Sequence, residues 1–302
     1  MLIVILNSAS GSANQPDVER HIADLFRSEG REARVISLKP DKVDAAVRET
    51  LRSKPEAVVA GGGDGTVSTV AGALAERGIP FGVLPLGTLN HFAKALRIPL
   101  DLAQAVKTVA AGVTLSVDAA RVNDRIFVNN SSIGVYPNIV EMRDALRKQG
   151  HRKWPAFVLA TARILRRSRE VNVRLDIDGR RFVARTPFVF VGNNEYQATG
   201  IHLGERARLD AGRLFAYMAP RVKTHELPKL ALSALFGRTG QRNTFQVFPA
   251  GELWIETPGN RHLSVSTDGE AAIMATPLHY RSMPGALDVF VPAQVAAASE
   301  DS

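Results

Sequence analysis

The sequence has no cysteine, which excludes disulfide bonds and thiolate metal sites. It also has no apolar run approaching the ~20 residues that a membrane-spanning helix needs. The first apolar run, Leu2–Leu6, is too short for a secretory signal and no basic segment precedes it, so we interpret it as a strand. Aromatic residues are few, at 6%, and we find no known nucleic-acid-binding module, so nucleic acid is not an expected partner. These absences favour a cytoplasmic protein.

The composition is that of a basic globular protein. Hydrophobic residues make up 45% of the 302 residues and charged residues 23%, and the length favours two domains of ~150 residues each. The 38 basic and 30 acidic residues leave a formal net charge of +8. This charge draws the protein toward anionic surfaces, whether phospholipid, nucleic acid or nucleotide, and does not by itself choose among them.

The first third of the chain alternates between strand and helix patterns. The runs LIVIL, ARVISL, AVVA and IPFGVLP predict strands, and segments with apolar residues at helical spacing separate them. Strands that alternate with helices form parallel sheets with helices on both faces. We therefore predict an α/β fold that begins with a doubly wound, Rossmann-like parallel-sheet domain.

From about Val113 onward, short alternating segments and turn residues dominate. One such segment predicts a hairpin with Asp178 and Gly179 as its turn. Helical patterns interrupt the strands at Asn138–Lys148, Pro155–Arg167 and Thr224–Phe236. The second domain is therefore predicted to be mainly antiparallel β.

This change of pattern sets the domain boundary near Asp118. We predict a first domain at residues 1–118 and the β domain at residues 119–283. A late strand pattern at 284–293 is a candidate for a strand that returns to the first domain.

A glycine-rich loop, GGGDGT at residues 61–66, follows the third predicted strand and leads into a helical pattern. Open α/β sheets bind ligands at the carboxyl ends of their strands, and glycines let a phosphate approach the free backbone N–H groups there. The P-loop pattern is absent, and the dinucleotide pattern G-x-G-x-x-G fails at Thr66. Asp64 would repel a phosphate unless a cation lies between them, so the loop favours a phosphate-bearing ligand with a divalent metal. The alternative is a tight strand–helix turn in which Asp64 caps the helix.

A second Gly-Thr loop, Gly87-Thr88, ends the next predicted strand and leads into another helical pattern. Successive strands of a doubly wound sheet are often neighbours, so both loops would lie at one edge of the sheet. Together they would hold one polyphosphate from two sides. Thr66 and Thr88 would supply hydroxyls, and Asn90 an amide.

The two loops together resemble the diacylglycerol-kinase catalytic family of lipid kinases, which includes soluble bacterial enzymes, sphingosine kinases and ceramide kinases. The family's G-G-D-G-T loop is Gly62–Thr66 here, and its P-x-G-T-x-N-x-F-A segment is Pro85–Ala93. NAD kinases and phosphofructokinase-like enzymes share the first motif, whereas the second is far more specific. The resemblance covers the whole chain, from the strand end at Asn7–Gly11 to a late Asp-Gly-Glu triplet.

The resemblance implies an ATP- and Mg²⁺-dependent lipid kinase that phosphorylates the hydroxyl of diacylglycerol or a similar lipid. Asp64 would engage the Mg²⁺ that arrives with ATP. The residues that would contact the nucleotide are Asn7, Ser37, Gly62, Gly63, Asp64, Gly65, Thr66, Gly87, Thr88 and Asn90. An NAD-kinase-like kinase of a soluble acceptor is the enzymatic alternative, although it does not predict the second loop. A non-catalytic nucleotide or lipid sensor on the same fold is the alternative from another class.

The late triplet Asp268-Gly269-Glu270 follows a predicted strand of the second domain. The resemblance implies that Glu270 is the general base for the acceptor hydroxyl, facing the nucleotide across a cleft, and we expect Asp268 to help orient it. Phosphoryl transfer independently needs a carboxylate that takes or orients the alcohol proton. The alternative for the triplet is a hairpin turn, for which Asp-Gly is typical. A sensor would not need the carboxylates of both Asp64 and Glu270.

Two positions depart from the family's pattern. His91 stands where many relatives have aspartate, although some relatives also carry histidine, and its role stays open. The resemblance also implies a structural Mg²⁺ site near an L-x-D-D-G segment, where this chain has Leu209-Asp210-Ala211-Gly212. The aspartate nearest the glycine is replaced by Ala211, which leaves Asp210 as the candidate ligand.

Basic residues concentrate between 143 and 169. They are Arg143, Arg147, Lys148, His151, Arg152, Lys153, Arg163, Arg166, Arg167 and Arg169. A basic helix surface with neighbouring aromatic residues suits docking to an anionic leaflet, and the alternative is a solvated helix face over the core. We therefore expect peripheral association with the inner face of the membrane, with a homodimer as the candidate oligomeric state.

Overall fold

The computed structural model describes residues 1–11, 17–134, 171–197, 206, 208–218 and 246–300. Four predicted features lie outside these residues: the helices at 138–148, 155–167 and 224–236, and the basic cluster at 143–169. The chain divides into two compact units. The first unit comprises Met1–Ala119, Leu209–Ala211 and Met283–Ser302, and the second comprises Ala120–Arg208 and Gly212–Ser282. None of the described helices is long and apolar enough to cross a membrane.

The first unit is built on a parallel sheet. Its strands are β1 (Leu2–Asn7), β2 (Ala33–Leu38), β3 (Ala57–Gly62) and β4 (Phe81–Pro85). Its described helices are α1 (Val18–Ser28), α2 (Val43–Arg52), α3 (Asp64–Leu74), α4 (His91–Ala95), α5 (Leu102–Ala111) and α6 (Ala293–Glu300). The strand order is β2-β1-β3-β4, and each neighbouring pair is parallel. The predicted α/β fold of the N-terminal part is confirmed.

The strands of this sheet end at one level. Leu6 of β1 lies opposite Ser37 of β2 and Gly61 of β3, and Gly62 lies opposite Pro85 of β4. Strand β2 lies on one side of β1, and the next strand in the chain, β3, lies on the other side. The direction in which strands are added therefore reverses between β1 and β3. Such a reversal opens a crevice at the carboxyl edge of an α/β sheet, and ligands bind there.

The helices of this unit form where apolar residues recur at helical spacing. Helix α3 buries Val67, Val70 and Leu74, and α1 buries Ile22 and Phe26. Every residue of β3 is buried, as expected for a parallel strand that is covered on both faces. This packing fixes the ends of β3 and α3, between which the first glycine loop lies.

The second unit is mainly antiparallel β, as predicted. Its strands are β6 (Arg125–Phe127), β7 (Asn130–Gly134), β8 (Val171–Ile177), β9 (Arg180–Thr186), β10 (Phe188–Asn193), β11 (Leu214–Met218), β12 (Gln246–Ala250), β13 (Glu252–Glu256), β14 (His262–Thr267) and β15 (Glu270–Ala275). One antiparallel sheet has the order β12-β11-β10-β7-β14-β15. The hairpin of β8 and β9 turns at Asp178 and Gly179, whose φ angles of 48° and 84° suit the predicted Asp-Gly turn.

Two long strands run through both units, β5 (Thr114–Val122) and β16 (Leu278–Phe290). In the second unit, β16 pairs with β13, and β13 with β8, in antiparallel fashion. In the first unit, the later part of β16 lies beside β4 and parallel to it, with Val289 opposite Phe81.

A buried tyrosine lies in the core of the second unit. The Tyr280 ring is fully buried and meets the Phe127 ring edge-on, with 6.3 Å between centroids. Its hydroxyl is 3.1 Å from the hydroxyl of Ser131, which is also fully buried. Burial raises the pKa of the Tyr280 phenol well above its usual value. The two hydroxyls therefore satisfy each other inside the core of this unit.

We predict that Tyr280→Phe lowers the free energy of unfolding by about 1–3 kcal/mol, because it leaves the buried Ser131 hydroxyl without its partner. The double variant Ser131→Ala/Tyr280→Phe removes both polar groups and should regain most of this loss. Urea unfolding followed by circular dichroism measures both effects. A double variant less stable than Tyr280→Phe would contradict the explanation.

Candidate active site

Two loops at neighbouring strand ends form the center of the candidate site in the first unit. The first loop runs from the end of β3 through Gly63 into α3, which begins at Asp64. The second runs from the end of β4 through Gly87 and Asn90 into α4. The exit from β4 is tied to β3, since the Leu86 N–H donates to the Gly62 carbonyl oxygen at 3.1 Å. The predicted juxtaposition of the two glycine loops is therefore present.

The two loops approach so closely that only glycine fits at position 87. A Cβ atom built on Gly87 would lie 2.4 Å from the Gly63 Cα atom and 2.8 Å from Oδ1 of Asn90. A Cβ atom on Gly62 would lie 2.6 Å from the Thr66 hydroxyl oxygen. The glycines thus allow backbone to pack directly on backbone, in addition to any access that they give to a ligand.

Asn90 holds the second loop in shape. Its side-chain oxygen accepts from the Gly87 N–H at 3.1 Å, and its side-chain nitrogen donates to the carbonyl oxygens of Pro85, at 3.2 Å, and Gly87, at 3.0 Å. The residue is buried and has φ of 52° and ψ of 46°, a left-handed conformation that asparagine tolerates. The predicted contact between the Asn90 amide and a phosphate stays a prediction, because the structure shows the amide bonded within its own loop.

Asp64 connects the two loops. One carboxylate oxygen, Oδ1, accepts from the Phe92 N–H at 3.3 Å, which satisfies a free donor in the first turn of α4. The alternative interpretation of Asp64 as a helix cap therefore applies to α4 rather than to α3. The other oxygen, Oδ2, has no hydrogen-bond partner within the described ranges, and the side chain is half-buried. That oxygen is the free acceptor of the site.

Asn7 and Thr66 span the crevice between β1 and β3. The Asn7 side-chain nitrogen donates to the Thr66 hydroxyl oxygen at 2.9 Å, and Thr66 is only 5% exposed. Ser37 is half-buried, one residue before the end of β2, and Thr88 is exposed. The predicted residues of this unit therefore lie at one edge of the sheet. The Thr66 hydroxyl, however, accepts the hydrogen bond from Asn7 that joins α3 to β1.

The candidate structural metal site, at residues 209–212, has few side chains that could bind a metal ion. Leu209 lies beside β5, where its carbonyl oxygen accepts from the Asp118 N–H at 2.7 Å, and Asp210 is half-buried next to it. Within the described ranges, no group of three or more His, Cys, Asp and Glu side chains is arranged to hold a metal ion. A metal role for Asp210 stays a prediction.

In the second unit, Asp268 and Gly269 form a two-residue hairpin turn. Their φ angles are 48° and 84°, and Thr267 pairs with Glu270 across the turn. The Asp268 carboxylate accepts from the backbone N–H groups of Val128, Asn129 and Asn130, at 2.8–3.0 Å. Asp268 and Gly269 therefore form a hairpin turn that Asp268 anchors to residues 128–130, and the catalytic role of Glu270 stays a prediction.

Glu270 begins β15 immediately after this turn. Its side chain is 56% exposed, and Oε2 accepts from Nη2 of Arg125 at 2.6 Å. Arg125 was not among the predicted site residues, because a single arginine in a hairpin belongs to no motif. More than half of the Glu270 side chain is exposed to solvent, so its carboxylate is accessible to a proton donor.

Comparisons with known proteins agree with this geometry. The family model of the diacylglycerol kinase catalytic domain matches residues 1–122, and the model of the YegS C-terminal NAD kinase beta sandwich-like domain matches residues 132–291. The chain belongs to the diacylglycerol-kinase catalytic family. The predicted family is confirmed.

Individual relatives of this diacylglycerol-kinase family protein cover it to different extents. The chain is 43% identical over 137 residues to a "Probable lipid kinase YegS-like" of Klebsiella pneumoniae (strain 342), an alignment that covers 44% of this chain and 45% of that one. It is 28% identical over 298 residues to a "Probable lipid kinase YegS" of Salmonella arizonae. That alignment covers 96% of this chain and 95% of the relative. A solved diacylglycerol kinase structure from Bacillus anthracis str. Sterne matches with a TM-score of 0.73 at 23% sequence identity, over 97% of this chain and 98% of that one. This likeness confirms the fold.

We predict that Gly87→Ala lowers the free energy of unfolding by about 1–3 kcal/mol, because the new methyl group overlaps the Gly63 backbone. Gly63→Ala is the matched control. Its Cβ would lie 3.4 Å from the Gly87 Cα, an ordinary contact, and its φ of −90° is open to alanine. Thermal unfolding compares the two variants, and equal losses would count against the contact as the cause.

Proposed function

We propose that this protein is a lipid kinase that transfers the γ-phosphoryl group of ATP to the hydroxyl of diacylglycerol or a similar lipid. Family membership supports the lipid-kinase class. The observation that carries the nucleotide part is the pair of glycine loops in contact at the carboxyl edge of β3 and β4. An NAD-kinase-like activity and a non-catalytic sensor remain the outcomes that an assay must exclude.

Backbone N–H groups would bind the phosphates. Gly63 and Gly65 lie at the start of α3, where free N–H groups and the helix dipole attract anions. The second loop approaches the same place, and there the exposed Thr88 is the candidate contact, because the Gly87 N–H is already donated to the Asn90 side-chain oxygen. Thr66 and Asn90 would act indirectly, by holding the loops in the shape that presents these groups.

Asp64 would hold the magnesium ion of Mg-ATP. Its Oδ2 atom has no partner in the described part of the chain, and one carboxylate is enough when phosphates and water supply the other ligands. When bound, Mg²⁺ would neutralise the charge that gathers on the phosphoryl oxygens. This role is compatible with the contact to α4, which uses the other oxygen of Asp64.

Glu270 would be the general base. The lipid hydroxyl oxygen attacks the γ-phosphorus, the bond from that phosphorus to the β,γ-bridging oxygen breaks, and the hydroxyl proton passes to the Glu270 carboxylate. ADP leaves with the bridging oxygen. The exposed carboxylate and its position directly after a rigid turn support this role.

The lipid acceptor and the membrane belong to the same proposal. The net charge of +8 and the basic residues between 143 and 169 support peripheral binding to an anionic inner leaflet. Those residues lie outside the described ranges, so the proposal of a docking surface rests on their sequence alone. The homodimer also stays a prediction.

The decisive experiment incubates the protein and radiolabelled ATP with diacylglycerol, sphingoid bases and NAD in parallel, in mixed micelles that contain anionic phospholipid. Label on a neutral lipid supports the proposal. Label on NAD alone would support the soluble-acceptor alternative, and no label on any acceptor together with measurable ATP binding would support a sensor.

We predict that Asp64→Asn lowers phosphoryl transfer by about 10²–10³-fold, because it removes the charge that would hold magnesium at the transferred group. The asparagine oxygen can still accept from the Phe92 N–H, so the melting temperature should stay unchanged. Calorimetric titration with Mg-ATP should show weaker binding. Wild-type turnover at saturating magnesium would refute the metal role.

We predict that Glu270→Gln lowers kcat by about 10²–10⁴-fold and changes ATP affinity by only a few-fold, because a general base acts in the transition state. Glu256→Gln, which changes an exposed carboxylate of β13, is the matched control. Asp268→Asn is unsuitable as a control, because three backbone N–H groups depend on that carboxylate. Full turnover by Glu270→Gln on the true acceptor would leave Glu270 as a turn residue.

A further inference from the structure

The ion pair between Arg125 and Glu270 engages one side of the Glu270 carboxylate. Nη2 of Arg125 is 2.6 Å from Oε2, and the side chains are 35% and 56% exposed. Oε1 has no hydrogen-bond partner in the described part of the molecule, where Arg125 is also the single ionic partner of Glu270. One oxygen is therefore fixed by the guanidinium, while the other is open to a further donor.

The backbone segments that carry the pair are tied together on one side by Asp268. Residues 128–130 follow β6 directly, and their N–H groups donate to the Asp268 carboxylate. In return, the Asp268 N–H donates to the Asn130 carbonyl oxygen at 2.8 Å. The chain just after Arg125 is thus fixed to the turn that immediately precedes Glu270.

On the other side, Asn123 ties the turn before Arg125 to the far end of β15 and to β16. Its side-chain nitrogen donates to the Ala275 carbonyl oxygen at 3.1 Å, and its side-chain oxygen accepts from the His279 N–H at 2.9 Å. The Asn123 N–H also donates to the His279 carbonyl oxygen at 2.9 Å. Arg125 and Glu270 therefore face each other from two backbones whose spacing is set at both ends.

Stability does not explain this arrangement. An exposed ion pair usually adds little to the stability of a fold, because water screens the charges and two long side chains lose conformational freedom. Here, however, the hydrogen bonds that the Asp268 carboxylate accepts and that the Asn123 side chain donates hold the backbones of Arg125 and Glu270 at a fixed spacing. The pairing constrains the direction of one carboxylate, and constraint of direction is what a general base requires.

We propose that Arg125 is the positioning residue of Glu270, an inference that rests on the general-base role proposed above. Arg125 holds Oε2, which directs Oε1 toward the lipid hydroxyl. The hydroxyl proton passes to Oε1 as the oxygen–phosphorus bond forms, and Arg125 keeps its own protons throughout. Glu270 then returns the proton to water after ADP has formed.

The test begins with Arg125→Gln, assayed with ATP and the lipid that the acceptor panel identifies. We expect kcat to fall about 10- to 100-fold, the scale of a misdirected catalytic group, while the KM for ATP changes less than about two-fold. Arg125→Lys keeps the charge and should recover part of the loss. Arg181→Gln is the matched control, because it removes another exposed ion pair of this unit, with Asp176, and should leave kcat unchanged.

A double-variant cycle separates positioning from other roles. If Arg125 acts through Glu270, then Arg125→Gln adds no further loss when Glu270→Gln is already present. A further loss in that background would overturn the inference, as would a rise in the KM for ATP that accounts for the whole defect, because either result would mean that Arg125 acts on the nucleotide directly. Wild-type kcat in Arg125→Gln would also overturn it.

The failure of the inference differs from the failure of the proposed function. If Glu270→Gln is impaired and Arg125→Gln is not, the base stands and the positioning role is wrong. If Glu270→Gln retains full turnover, the general-base role is wrong and the positioning role falls with it. Circular dichroism of each variant confirms that a loss of turnover is not a loss of fold.

Discussion

The contact between Gly63 and Gly87 is the constraint on which the candidate site of the first unit depends. Two parallel strands end at one level, and the backbones that leave them touch without any intervening side chain. A methyl group at Gly87 would meet the Gly63 Cα at 2.4 Å, so the two loops keep this form only if residue 87 is glycine. Helices α3 and α4 both begin within a few residues of this contact, so it sets the spacing between their first turns.

Polar side chains around these loops mostly form hydrogen bonds with backbone groups. Asn90 makes three hydrogen bonds within its own loop, and Asp64 satisfies a free N–H of α4. In the second unit, Asp268 does the same for three consecutive N–H groups. Buried or half-buried backbone donors need such acceptors wherever the chain leaves regular structure. Carboxylates and amides in a motif can therefore be required for shape alone, and the oxygens left free are the ones available for chemistry.

The sequence predicted the architecture well, because periodicity and turn chemistry are local. Alternating strand and helix patterns gave the parallel sheet, and Asp178-Gly179 gave a hairpin at the expected place. The neighbouring positions of the two glycine loops followed from strand order. Partners that are far apart in the chain were beyond such reasoning. No local pattern links Asp268 to residues 128–130, Asn7 to Thr66, or Arg125 to Glu270.

The two loops have a consequence for charge. Residues 61–66 and 85–90 contain no lysine or arginine, in contrast to a P-loop, whose lysine neutralises phosphate charge. Under the proposed function, backbone N–H groups would bind the phosphates, and they carry only partial charges. The remaining charge would then have to be balanced by a cation, and the free oxygen of Asp64 is the group in these loops that can hold one. Under the proposed function, Asp64 and the cation that it would hold thus take the place of the lysine of a P-loop.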